Sequence, residues 1–130
     1  RWSAYAKSYD FKVLELDQKG GRIVAQFTLG KELCNVLGTI QGGFLTTILD
    51  ETIGLTGVTY SQYTQGFPTL ELKMNFIKAA YPGTFRTQAR LLKYGKSIAY
   101  FAGSIVDAED DLIATATATA KVFPFPKKSG

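Results

Sequence analysis

Residues 42–60 read Gly-Gly-Phe-Leu-Thr-Thr-Ile-Leu-Asp-Glu-Thr-Ile-Gly-Leu-Thr-Gly-Val-Thr-Tyr. Phe44, Leu45, Ile48, Leu49, Ile53, Leu55 and Val58 leave little of a helical wheel polar, and the only charges are Asp50 and Glu51. The run is too long for an ordinary strand. A helix that is apolar nearly all round is a buried helix. Its intrinsic propensity is poor, because Thr46, Thr47, Thr52, Gly54, Thr56 and Gly57 are weak helix formers. Packing has to hold it, so the rest of the chain must wrap it.

The flanking sequence supplies the wrapper. Downstream, Thr69–Phe76 alternates, with Leu70, Leu72, Met74 and Phe76 expected inward and Thr69, Glu71, Lys73 and Asn75 outward. Further strands are expected over 84–93, 97–107 and 112–123, with turns at Tyr81-Pro82-Gly83, Tyr94-Gly95-Lys96 and Glu109-Asp110-Asp111. The run Ala114-Thr115-Ala116-Thr117-Ala118-Thr119-Ala120 reads as a strand whose small face lets a helix come close. Upstream, 11–17 and 22–29 flank the turn at 18–21 as a hairpin, and Ile23, Ala25, Phe27 and Leu29 share one face. Trp2, Tyr5, Ala6 and Tyr9 recur at helical spacing, which predicts a short helix or arm over 1–10. Residues 30–41 are irregular, and 124–130 form a tail expected to fray. The pattern predicts one α+β domain over 1–130, an antiparallel sheet of five or six strands curled around one long helix.

Composition excludes several chemistries. The 130 residues contain no histidine and one cysteine, Cys34. Ser-His-Asp and Cys-His catalysis, imidazole proton shuttling and a multi-thiolate zinc site are all removed, and Cys34 has no base to activate it. No metal site is expected. The formal charge of +4 is mild and the basic residues are scattered, unlike the dense stripe of a nucleic-acid binder. No membrane span is expected. Arg1, Trp2 and Ser3 do not open a charged-then-apolar leader, so a cytoplasmic location is expected.

Residues 35–50, Asn-Val-Leu-Gly-Thr-Ile-Gln-Gly-Gly-Phe-Leu-Thr-Thr-Ile-Leu-Asp, carry a motif. It resembles the signature of hotdog-fold thioesterases of the PaaI and 4-hydroxybenzoyl-CoA thioesterase-like family. That signature is an Asn, a Gly, then His/Gln-Gly-Gly opening the central helix and an acidic residue two turns in. Pro68–Phe76 is similar to the family's strand after that helix, and the likeness spans roughly residues 20–122. The resemblance implies an acyl-CoA thioesterase with no metal or organic cofactor. It also implies active sites at the interface of a homodimer or a dimer of dimers, and a role for Asn35 in positioning substrate or water. Gln41 stands where many relatives have His; it donates and accepts hydrogen bonds but relays no proton at neutral pH. The family's Ser or Thr facing the acid falls on Thr69 or Glu71.

The chemistry can be read from the residues themselves. Thioester hydrolysis needs an oxyanion site, a water or nucleophile, and a base. Gly42 and Gly43 at a helix start expose backbone N–H donors to a close-approaching carbonyl and add the positive end of the helix dipole. The bland alternative is a tight loop-to-helix turn. Asp50 is a carboxylate in an apolar helix, either a base or nucleophile or a structural Asp bonded to hydroxyls. Gly42 and Asp50 are eight residues apart, about 12 Å along the helix and about 80° around it. One carbonyl carbon cannot touch both, so a site using both is composite, with Gly42 of one chain facing Asp50 of another. Glu51 points about 100° from Asp50 and is secondary. The turn carrying Lys93, Lys96 and Ser97 could meet CoA phosphates or be a solvated hairpin. Aromatic residues of 60–67 could line an acyl pocket or fill the core. Two other functions remain. A hotdog dehydratase is disfavoured by the missing His. A non-catalytic acyl-CoA-binding or regulatory domain is the alternative that Gln41 keeps open.

Overall fold

Side-chain alternation builds the sheet. On β2 (Arg22–Leu29) the side chains of Ile23, Ala25, Phe27 and Leu29 are fully buried, whereas Thr28 is exposed. The computed structural model describes residues 3–126. Around β2 come α1 (Ala4–Ser8), β1 (Lys12–Asp17), α2 (Gly42–Tyr60), β3 (Gln65–Gly66), β4 (Thr69–Phe76), β5 (Gly83–Tyr94), β6 (Ile98–Val106), β7 (Leu112–Lys121) and β8 (Phe123–Pro124). Six strands pair antiparallel in the order β1-β2-β5-β6-β7-β4, and β3 pairs with β8 beside them. The α+β arrangement of a sheet curled around one long helix is the one the sequence predicts.

Helix α2 spans the expected residues 42–60 despite its weak formers. Its threonines return their hydroxyls to carbonyls one turn back: Thr46 to Gly42, Thr47 to Gly43, Thr52 to Ile48, Thr56 to Thr52 and Thr59 to Leu55. Thr52 also meets Thr87 of β5, 2.6 Å between hydroxyls in the core. These bonds let polar side chains enter the core without an unsatisfied group, which would otherwise cost about 1–3 kcal/mol each.

Several expectations need correction, including that of Thr69 as an outward residue. Leu70 does not point inward: Thr69 opposes Ala120 and Glu71 opposes Thr119, so Leu70 is an extra, bulged residue and stays 59% exposed. Phe76 lies on the inner side opposite Ala114 but remains 52% exposed at the sheet edge. The last strand stops at Lys121. After Val122, Phe123 and Pro124 pair with Gly66 and Gln65 and the Phe125 amide donates to the Thr64 carbonyl at 3.1 Å, so the tail is tied down as far as Phe125. The alanines at 114, 116, 118 and 120 are buried as expected. However, α2 lies over β5, flanked by β2 and β6. The tight approach falls at Gly103 of β6, where a Cβ would sit 2.9 Å from Leu49 Cδ1. The expected N-terminal helix begins at Ala4; Trp2 and residues 127–130 lie outside the described residues.

Candidate active site

Asp50 leaves the outer side of α2 half-buried, and Thr69 Oγ1 donates to its Oδ1 at 2.6 Å. The bulge at Leu70 makes this contact possible. Strict alternation would keep Thr69 on the face of Glu71, away from the helix. The extra residue turns Thr69 onto the inner face that holds Ala120 and leaves Glu71 opposite Thr119 on the outer face. A hydroxyl donor at this distance fixes the orientation of the carboxylate. Asp50 and Thr69 open onto a cleft of about 1060 Å³ that runs along α2 past Gly54, Leu55 and Val58 toward Tyr63, Phe67 and Phe125.

Gly42 opens elsewhere. It is the first residue of α2, after Gln41 at the cap in an extended conformation (φ −59°, ψ 133°). Among the described residues the Gly42 and Gly43 amides meet no acceptor. A separate concavity of about 330 Å³ lies over Gly42, walled by Phe76, Ile77 and Ala80. A Cβ on Gly42 would fall 3.0 Å from Phe76 Cζ, whereas one on Gly43 would meet nothing within 4 Å. Within one chain, therefore, the two ends of the 35–50 segment face different clefts.

The other predicted residues divide. Gln41 is exposed and makes no side-chain cap bond. The Asn35 side chain is turned onto its own loop: Oδ1 accepts from the Leu37 and Thr39 amides at 2.9 and 3.3 Å, and Nδ2 donates to Thr39 Oγ1 at 3.0 Å. That gives Asn35 a part in shaping the approach to α2. Glu51 lines the same cleft as Asp50. Lys93, near the end of β5, and Lys96 and Ser97, on the β5–β6 turn, are exposed and line neither cleft. The sequence reading missed Ser3 and Tyr5, whose hydroxyls both donate to Glu51. Only the helical spacing of Tyr5 hinted at an element there. No group of three His, Cys, Asp or Glu suited to a metal occurs among the described residues. No described helix is long and apolar enough to cross a membrane.

A six-stranded antiparallel sheet around one long helix, with an acid on that helix facing a cleft, defines a hotdog-fold protein. Residues 37–114 match the model of the Thioesterase superfamily, and the chain belongs to that superfamily. A protein of Saccharolobus solfataricus provisionally named an esterase is 30% identical over 110 residues, covering 85% of this chain and 76% of its own. The structure of a phenylacetic acid degradation-related protein from Ralstonia eutropha JMP134, provisionally named a thioesterase, superposes with a TM-score of 0.88. It is 26% identical and covers 94% of this chain and 92% of its own. A Streptococcus mutans UA159 protein solved with acetyl-CoA bound shares the fold, with a TM-score of 0.79 and 20% identity over 90% of this chain and 91% of its own.

Proposed function

We propose that the chain hydrolyses acyl-CoA thioesters to the free carboxylic acid and CoA in a site shared between two copies of itself. The observation that carries this reading is the Thr69–Asp50 hydrogen bond at the mouth of the large cleft. It supplies an oriented carboxylate on a largely apolar helix. The superfamily membership, the esterase and thioesterase names of the relatives and the acetyl-CoA bound to a protein of the same fold support the substrate class. Asp50 acts on water as base or on the thioester carbon as nucleophile. In the first case water adds to the carbonyl carbon as Asp50 takes its proton, the C–S bond breaks, and the CoA sulfur leaves and is protonated. The carbonyl oxygen becomes an oxyanion during attack, and the unpaired Gly42 amide of the partner copy would receive it. Gln41 beside that amide can donate a hydrogen bond but cannot act as an acid. Asn35 serves as a positioning residue for the Gly42 loop. No cofactor is required.

The homodimer follows from reach. Gly42 and Asp50 sit about 12 Å apart along one helix, and they open to separate concavities. An antiparallel approach of two α2 helices brings each Gly42 to the other chain's Asp50. The unpaired edge of β4 and its half-exposed Phe76 offer a surface for that association. The experiment is Asp50→Asn, whose Oδ1 can still accept from Thr69. Acyl-CoA turnover should fall about 100- to 10,000-fold while acyl-CoA binding survives. Unchanged turnover would remove Asp50 from the reaction. Binding without turnover in the unmodified chain would favour a binding or regulatory domain.

A further inference from the structure

The segment before β1 is tied to the central helix at a single atom. Ser3 Oγ and Tyr5 Oη both donate to Oε1 of Glu51, at 2.9 and 2.6 Å. Burial and the bond to the Glu51 carboxylate push the Tyr5 phenol above its usual range, so it remains a donor at neutral pH. The same segment is anchored by Ala6, which is fully buried, by the Thr28 amide donating to the Tyr9 carbonyl at 2.7 Å, and by the Tyr5–Tyr9 ring contact. Tyr5 is thereby fixed at the rim of the Asp50 cleft.

The same cleft is also lined by the aromatic rings of Tyr63, Phe67 and Phe125. Gln62 and Tyr63 hold φ of +57° and +64°, a left-handed conformation that residues with side chains rarely adopt. The turn is sustained by the Tyr63 amide donating to the Val58 carbonyl at 2.9 Å, and it presents Tyr63 to the cleft. The floor one turn beyond Asp50 is bare backbone: a Cβ on Gly54 would meet no heavy atom within 4 Å. The cleft is polar where Asp50, Glu51 and Thr69 meet, and apolar for the about 12 Å of helix between Asp50 and Val58. That is the shape of a slot for a long apolar group whose reacting end lies at the carboxylate.

We propose that Tyr5 is a specificity-determining residue and Glu51 its positioning residue, the clasped arm and the open floor at Gly54 together selecting medium-length acyl groups over acetyl. The inference rests on the acyl-CoA reading of the site. The test measures dissociation constants of two non-hydrolysable thioethers, octyl-CoA and ethyl-CoA, alongside turnover of octanoyl-CoA and acetyl-CoA. The unmodified chain should bind octyl-CoA at least about tenfold tighter than ethyl-CoA, because six more methylenes are buried. Gly54→Leu, which fills the floor, should abolish that preference, and Gly54→Ala should reduce it. Tyr5→Ala should lower it about threefold or more. Glu51→Leu should do the same, whereas Glu51→Gln, which keeps an acceptor oxygen, should retain most of it. A merely structural role would shift both ligands together and leave their ratio alone. No preference in the unmodified chain, or an unchanged ratio in folded Gly54→Ala and Tyr5→Ala chains, overturns the proposal. A preserved binding preference without turnover would overturn only the hydrolase reading and leave this inference standing.

Discussion

The first residue of helix α2 and a residue at its middle offer a thioester different things. At Gly42 the backbone supplies donors without acceptors, a glycine pair leaves room for close approach, and the concavity is small. At Asp50 a side chain supplies an anion, oriented by Thr69, over a cleft about three times as large. In the proposed reaction the first would stabilise developing negative charge, and the second would generate the attacking group and house the acyl chain. A reaction that uses both would draw on two copies of the chain, because they lie about 12 Å apart along one helix.

After Asp50→Asn, removing the Gly42 donor alone gives the next largest effect on that comparison. Gly42 is the first helical residue, where proline is tolerated because its missing N–H is an orphan in any case. Gln41 already has the extended backbone that a following proline demands. Gly42→Pro should therefore keep the fold, with Phe76 shifting slightly, and lower kcat about 100- to 1,000-fold. Melting temperature and kcat measured together check this; full activity would reduce Gly42 to a turn residue. A smaller effect is expected at the residue that orients Asp50. Thr69→Val removes the hydroxyl that orients Asp50 and should lower kcat/KM about tenfold or more, since a hydrogen bond to a charged group contributes about 1.5–3 kcal/mol. Steady-state kinetics would show it, and a loss confined to KM would contradict an orienting role. The smallest effect belongs to the β5–β6 turn. If Lys93 and Lys96 reach CoA phosphates in the assembled protein, Lys93→Ala with Lys96→Ala should raise KM a few-fold at low salt, and the difference should fade as salt screens exposed charge. A KM indifferent to both substitutions and salt would leave the turn a solvated hairpin.

These two positions were not equally legible in sequence. The bounds of β2, α2 and β4 follow from the periodicity of their own apolar residues, because period 2 and an all-round apolar run are local signals. The Gly42–Asp50 separation is equally local, being fixed by helix rise. The bulge is not. Nothing in Thr69-Leu70-Glu71 marks Leu70 as the extra residue; pairing with Ala120 and Thr119, some fifty residues on, decides it. Without that register the choice between Thr69 and Glu71 stays open, and with it only Thr69 reaches Asp50. The clasp of Ser3 and Tyr5 on Glu51 spans 46–48 residues and leaves no spacing pattern to read. The pairing of Phe123–Pro124 with Gln65–Gly66 is likewise a long-range event, which is why the tail read as loose. Asn35 illustrates the converse. Its residue type suits substrate contact, yet its short-range bonds to Leu37 and Thr39 show the carboxamide already engaged.

The central claim is that catalysis joins Gly42 of one copy to Asp50 of another. It is tested most directly by mixing two chains that are each inactive alone, Gly42→Pro and Asp50→Asn, under conditions where subunits exchange. In a mixed twofold dimer one site receives the intact Gly42 from one chain and the intact Asp50 from the other, while the second site carries both defects. Random exchange of equal amounts should restore about one quarter of the unmodified turnover, because about half the dimers are mixed and each has one working site. A mixture that stays as inactive as its components, with subunit exchange verified, would contradict the account.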